Sequence, residues 1–165
     1  MTAYSGISRS VSSMRGVSSV YQLTSAIENV MRSNFTLAEF LRSDMAARNH
    51  IDNTPTWEVV DNLLNLVQNV LQPLRDGWGK PIIVTSGYRC PMLNKAVGGV
   101  VNSHHMTGQA ADIVPQGRNP ADIRRLFQMV QRLDLPFDQL INEHNFSWVH
   151  VSWSAVPRHQ VLNLY

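Results

Sequence analysis

The stretch from Ser103 to Asp112, Ser-His-His-Met-Thr-Gly-Gln-Ala-Ala-Asp, decides how this chain is organised. It places His105 seven residues before Asp112, with Gly108 between them. Glycine adopts positive φ angles without steric cost, so Gly108 predicts a turn that brings the two side chains together. Catalytic zinc takes three protein ligands from His, Asp, Glu or Cys and keeps one position for water. The spacing therefore predicts two of the three ligands of a zinc site.

The third candidate ligand is His150, which lies in a predicted strand from Trp148 to Trp153. Asp112 lies in another predicted strand. A polar side chain among valines and tryptophans in a buried strand is costly unless it is paired or ligated. Binding of one metal ion would satisfy both residues. His104 stays an alternative to His105, because the two histidines are adjacent and chemically identical.

A carboxylate near this site comes from the predicted hairpin between the last two strands. If residues 144–147 form its loop, Glu143 pairs with Trp148. Glu143 and His150 then lie on the same face as diagonal neighbours, with Cβ atoms roughly 7–8 Å apart. That separation suits a general base that takes a proton from a zinc-activated water. A loop longer or shorter by one residue would turn Glu143 to the opposite face and leave it an ordinary polar hairpin residue.

Two further residues are predicted to act on a substrate. Arg89 follows a predicted strand within the sequence Ser-Gly-Tyr-Arg, and its guanidinium could bind a carboxylate bidentately or stabilise an oxyanion. Arg89 is therefore a catalytic and substrate-binding candidate. Ser103, two residues before His105, could add a hydroxyl donor and is a substrate-binding candidate. The alternatives are an exposed turn arginine and an ordinary loop serine.

Apolar periodicity and turn residues predict helices first and strands afterwards. A capping-box pattern at Thr36–Glu39 predicts a helix that ends before Asn53. The apolar stripe from Trp57 to Leu71 predicts the longest helix, closed by Pro73 and the glycine-containing loop after it. Another helix is predicted from Ala121 to about Arg132, and the last dozen residues show no pattern. The predicted strands are Ile82–Thr85, Ala110–Val114, Phe137–Glu143 and Trp148–Trp153. This order favours an α+β domain with a small antiparallel sheet flanked by helices.

The composition is typical of a globular protein and excludes several partners. The 165 residues are 44% hydrophobic and 16% charged, and the net charge is +2. A nucleic-acid interface would need a concentrated basic stripe, and a membrane span a much longer apolar run, so neither is expected. The single cysteine, Cys90, excludes an internal disulfide. We expect a monomer.

Residues 1–33 differ from the rest of the chain. They hold nine serines and few large apolar residues, which predicts a partly flexible arm before a domain at residues 34–165. A capping-box pattern that begins at Ser25 predicts a short helix from Ala26 toward Arg32 within this arm.

Together these motifs resemble the zinc D-Ala-D-Ala carboxypeptidase family, which includes D-Ala-D-Ala dipeptidases and phage endolysins that cut peptidoglycan peptides. The family pattern Ser-x-His-x-x-Gly-x-Ala-x-Asp matches residues 103–112, which makes His105 the implied ligand and leaves His104 in a variable position. The later histidine of the family matches His150. Its substrate- or oxyanion-binding arginine matches Arg89.

The chain departs from the better-known members at the catalytic glutamate. They place it three residues before the last histidine, where this chain has Ser147. The nearest carboxylate here is that of Glu143, seven residues before His150. The hairpin register described above supports Glu143 as the residue that takes this role.

The resemblance implies a Hedgehog/D-Ala-D-Ala-peptidase-like fold, a Zn²⁺ cofactor and hydrolysis of peptidoglycan peptides that contain D-amino acids. The N-terminus lacks the apolar segment of a secretory signal, so we expect synthesis in the cytoplasm and action at the bacterial cell wall after phage-type release. The alternatives are a non-catalytic zinc-binding module, as in the Hedgehog signalling domain, and a metal-free cell-wall-binding module. Glu143 and Arg89 favour the enzyme, because a binding module needs neither a base nor a carboxylate clamp.

Overall fold

The computed structural model describes residues 33–165, so nearly all of the predicted arm, with its helix from Ala26 to Arg32, lies outside the described residues. The helices are α1 (Leu37–Leu41), α2 (Asp44–Arg48), α3 (Trp57–Leu66), α4 (Gln72–Trp78), α5 (Pro91–Ala96) and α6 (Pro120–Arg132). The strands are β1 (Ile82–Ser86), β2 (Ala110–Pro115), β3 (Phe137–Glu143), β4 (Trp148–Trp153) and β5 (Gln160–Asn163). The predicted α+β class is confirmed.

The five strands form one sheet in the order β1-β2-β4-β3-β5, and all neighbours are antiparallel except β3 and β5. The β3–β4 hairpin has the predicted register, with Glu143 opposite Trp148 and Ile141 opposite His150. The N–H of Ser147 donates to the carbonyl of Glu143 (3.0 Å) and closes the loop. The predicted bounds of both strands are confirmed.

The last dozen residues, which show no pattern in the sequence, include β5, and this strand pairs in parallel with β3. All four residues of β5 are at least partly exposed, and Val161 exposes 40% of its surface. An edge strand without a buried face has no reason to alternate apolar and polar residues, so the sequence carries no periodic signal for it.

The single helix predicted between Thr36 and Asn53 is two short helices. The Glu39 carboxylate accepts a hydrogen bond from the Thr36 N–H (2.7 Å), as the capping-box pattern predicts. Arg42 then adopts an extended backbone with ψ at 129°, and the Ser43 hydroxyl caps the start of α2. A second capping residue directly after α1 favours a new helix over continuation of the first.

Pro73 does not close the longest helix. A π-helical turn, Val67–Leu71, joins α3 to α4, and the helix ends only at Gly79, whose φ is 71°. In this turn the Gln72 N–H bonds the carbonyl of Val67, five residues back. The wider turn shifts the carbonyls that precede Pro73, and this relieves the clash that a proline ring makes inside an α-helix.

The hydrophobic core lies between the sheet and the long helices. Its members include Leu63, Leu66, Val70, Leu74, Ile113, Leu126, Val130, Val149 and Val151. Because Ile113, Val149 and Val151 point into this core, alternation places Asp112 and His150 on the other face of the sheet. Among residues 33–165, no helix combines the length and the apolar character needed to cross a bilayer.

A buried carboxylate adds a second attachment of the C-terminal segment to the sheet, besides the pairing of β5 with β3. Asp138 is 2% exposed and accepts hydrogen bonds from the backbone N–H (3.1 Å) and Nε (2.9 Å) of Arg158. These bonds lower the pKa of Asp138 to about 2, against the effect of burial. A carboxyl whose pKa is lowered in the folded state stabilises the fold above its unfolded pKa, and this stabilisation disappears as the pH falls through the folded value.

We expect Asp138→Asn to lower the free energy of unfolding at pH 7 by about 2 kcal/mol, because the lowered pKa is lost with the carboxylate. The deficit relative to the unmutated protein should shrink as the pH falls from about 4 to about 2. Urea unfolding at several pH values measures it. Asp122→Asn, which removes an exposed partner of Arg125, is the matched control and should change little. A deficit that stays constant over this pH range would contradict the prediction.

Candidate metal centre

A row of side chains crosses three strands of the sheet at the candidate site. Ser86 of β1 lies opposite Asp112 of β2, and Asp112 lies opposite His150 of β4. Side chains at directly paired positions share one face of a sheet. A β-bulge between Val84 and Ser86 precedes this row, and the Thr85 hydroxyl donates to the carbonyl of Asp112 (3.0 Å). The pairing places two of the three predicted ligands side by side.

The turn before β2 positions the third predicted ligand, His105. A 3₁₀ turn, His104–Thr107, carries His105, and Gly108 ends it with φ at 74°. The Ser103 hydroxyl accepts a hydrogen bond from the His105 N–H (3.3 Å) and fixes the start of the turn. The Gly108 turn that the sequence predicts is therefore present, and it folds His105 back over the strand that holds Asp112.

Three ligand atoms converge at this point. His150 Nδ1 lies 2.9 Å from Asp112 Oδ1, and His105 Nε2 lies 3.2 Å from His150 Nδ1 and 3.3 Å from Asp112 Oδ1. Ligands about 2.0–2.1 Å from a tetrahedral zinc ion are separated from one another by about 3.3 Å. The three residues are thus close enough to bind a metal ion, and the triangle that they form has nearly the size that zinc requires.

The second ring nitrogen of His105 fixes its tautomer. Nδ1 lies 2.6 Å from the carbonyl oxygen of Gly87, which can only accept, so Nδ1 carries the proton and Nε2 faces the cluster with its lone pair. Burial lowers the pKa of His105 and keeps the ring neutral despite the Asp112 carboxylate. A histidine that donates one N–H to a carbonyl and presents the other nitrogen is the usual arrangement of a metal ligand.

Asp112 is ionised and held from two sides. Burial alone would raise its pKa, but the cluster around it, which includes the contact with His150 Nδ1 at 2.9 Å, holds the pKa far below its usual range. Its second oxygen, Oδ2, binds Nη2 of Arg89 at 3.1 Å. Arg89 is oriented in turn by a hydrogen bond from its Nε to the Ser86 hydroxyl (3.1 Å). One carboxylate oxygen is therefore directed at the cluster while the other is neutralised by a guanidinium.

Glu143 lies on the same face as His150, as the hairpin register predicts. Its side chain is half-buried and takes part in none of the ion pairs among residues 33–165. The register makes Glu143 a diagonal neighbour of His150, and it is not one of the three residues of the cluster. A carboxylate so placed can accept a proton from a water molecule at the centre.

The other candidates from the sequence, His104, Ser103 and Arg89, are not members of the cluster and make different contacts. His104 is not in the cluster, and its Nδ1 lies 3.8 Å from Asp138. Ser103 is 8% exposed and its hydroxyl caps the 3₁₀ turn. Arg89 lies against Asp112 and also lines a cavity. Gly87, whose carbonyl orients His105, has no sequence signal, because a backbone acceptor leaves no trace in residue type.

We expect Gly108→Ala to destabilise the fold by more than about 2 kcal/mol, since a left-handed alanine alone costs about 1–2 kcal/mol. An added Cβ would also lie 2.5 Å from the carbonyl oxygen of Val59, so the turn that carries His105 must move. Thermal unfolding and zinc titration measure the two effects. Gly98→Ala is the matched control, because Gly98 has a φ of 73° and open space around its Cβ position. Equal losses in the two variants would contradict the role of the contact with Val59.

Comparison with known proteins agrees with this geometry. The family model described as Peptidase M15 matches residues 33–152, from the start of the described fold to the end of the β4 region that carries His150. A search of the curated proteins finds no match to the chain. The matched region contains all three residues of the cluster together with Arg89 and Glu143. Both the match and the cluster support a metallopeptidase, and the chain belongs to the peptidase M15 family.

Proposed function

We propose that the protein is a zinc-dependent peptidase that hydrolyses peptidoglycan peptides containing D-amino acids, as a D-Ala-D-Ala carboxypeptidase or a phage-endolysin-type endopeptidase. The observation that carries this proposal is the convergence of His105, Asp112 and His150 within the region that matches the family, with Glu143 on the same face of the sheet as His150. A ligand set of two imidazoles and one carboxylate suits zinc.

Each residue has a separate role in the proposed reaction. His105 Nε2, Asp112 Oδ1 and His150 Nδ1 would hold the metal, which when bound would supply a Lewis acid and could lower the pKa of a water molecule to about 7. Glu143 takes the proton of the attacking water on its carboxylate and returns it to the leaving amine. Arg89 neutralises the outer oxygen of Asp112 and presents its remaining N–H donors to the substrate. The Ser103 hydroxyl, as cap of the 3₁₀ turn, is proposed to act on the substrate only through the position of His105.

The test is cleavage of defined peptidoglycan fragments, with and without a chelator, followed by mass spectrometry of the products. Chelator-sensitive cleavage that zinc restores is the expected result, and the product masses identify the bond. A protein that binds zinc stoichiometrically but cleaves no fragment would be a non-catalytic zinc-binding module instead.

A further inference from the structure

A cavity of about 590 Å³ opens beside the metal centre, on the far side of Arg89. Three arginines line it: Arg42 from the end of α1, Arg89 from the loop after β1, and Arg118 from the loop after β2. Asp44 is the one carboxylate in the lining among residues 33–165. A volume of this size is typical of ligand sites, and an excess of guanidinium groups favours an anionic ligand.

Arg42 and Arg118 have no acidic partner within residues 33–165, because none of the ion pairs there includes them. Arg89 differs from them in its bond to Asp112. Both unpaired arginines sit on irregular backbone. Arg42 is the extended residue that interrupts the predicted helix, and Arg118 has a φ of 51°, a strained value for a side chain with a Cβ. Turn contacts account for both backbones, as in the bond from the Arg118 N–H to the carbonyl of Pro115 (3.0 Å), but no carboxylate among residues 33–165 neutralises either guanidinium.

We propose that this cavity, here called the arginine pocket (Arg42, Arg89 and Arg118), binds a free carboxylate of the substrate peptide, separate from the bond that is cleaved. The proposal deepens the proposed function and rests on it. Arg89 contacts both the pocket and Asp112, so the bound carboxylate lies one guanidinium away from the metal centre. The carboxylate of a D-glutamate residue and the peptide C-terminus both supply this chemistry, and amidated peptides supply neither.

Calorimetric titration of the zinc-loaded Glu143→Gln protein separates these sources without cleavage. Three peptides that contain both the L-Ala-D-Glu and D-Ala-D-Ala bonds are compared. The first has a free carboxylate at D-Glu only, the second has one at the C-terminus only, and the third is amidated at both positions. We expect one of the charged peptides to bind about 10-fold or more tightly than the amidated one, since charge-assisted hydrogen bonds are strong. The peptide that shows the preference identifies the carboxylate.

Variants of the pocket residues then test whether the arginines cause the preference for a charged peptide. Arg42→Gln and Arg118→Asn are each expected to remove most of it. Asparagine tolerates the left-handed backbone at position 118, so the melting temperature of that variant should not fall. Arg132→Gln, in the last turn of α6 and outside the pocket lining, removes the same charge and should keep the preference.

The outcomes separate the pocket from the peptidase. Equal binding of all three peptides, no detectable binding of any, or a preference that survives when Arg42→Gln and Arg118→Asn are combined would each overturn the pocket. Cleavage by the unmutated enzyme without such a preference keeps the peptidase and rejects the pocket. A charge preference that the arginine variants abolish, in a protein that cleaves nothing, keeps the pocket as a carboxylate site and rejects the peptidase.

Discussion

Replacing Glu143 with glutamine is expected to lower kcat on a peptidoglycan peptide by about 10³-fold, within the range that general base catalysis contributes. The amide keeps the size of the side chain but cannot take the proton of the attacking water. Glu143 lies outside the three-residue cluster, so the zinc content of the variant should equal that of the unmutated protein. Turnover and zinc stoichiometry are measured on the same preparation.

Asp134→Asn is the matched control, because Asp134 is an exposed residue in the turn between α6 and β3, at the opposite end of β3 from Glu143. Its turnover should stay close to that of the unmutated protein. If Glu143→Gln kept full activity, another group would have to serve as the base. If it instead lost zinc, Glu143 would be a ligand and the proposed division of roles would be wrong.

The sequence predicts the cluster of His105, Asp112 and His150 because its parts are local or lie on neighbouring strands. Gly108 indicates a backbone position with a positive φ angle. The four-residue loop after Glu143 determines which residue of β3 pairs with His150. Period-two alternation then decides the face on which each side chain lies. These signals depend on neighbours in the sequence, so the approach of His150 to Asp112 needs only the correct pairing of the two strands.

The features that the sequence misses depend on distant contacts or on backbone atoms. The π-helical turn before Pro73 accommodates a proline within a long packed helix, and no residue type predicts such a turn. β5 is an edge strand whose partner, β3, lies about 20 residues earlier in the chain. The bond between Arg89 and Asp112 joins residues 23 positions apart. The motif that contains Arg89 does not indicate that Asp112 is the partner of this arginine.

Arg89 therefore joins two parts of the molecule that the sequence keeps separate. Its Nη2 neutralises the outer oxygen of Asp112, while the same side chain forms one wall of the arginine pocket. A carboxylate bound in the pocket would compete with Asp112 for the N–H donors of this one guanidinium. The charge of a substrate bound there and the affinity of the cluster for metal would then be coupled through the contact between Arg89 and Asp112.

Replacing Asp112 with asparagine is expected to abolish activity and to weaken zinc binding by more than about 100-fold, since loss of even an outer partner of a ligand costs about 10–100-fold. The change removes the one negative charge among the three ligand atoms and leaves Arg89, which is 15% exposed, facing a neutral amide. Competition with a chromophoric chelator measures the affinity. Asp122→Asn, at an exposed pair on α6, is the matched control and should bind zinc normally. Normal zinc affinity in Asp112→Asn would mean that the metal is held elsewhere, and the assignment of the centre to this turn and strand would fail.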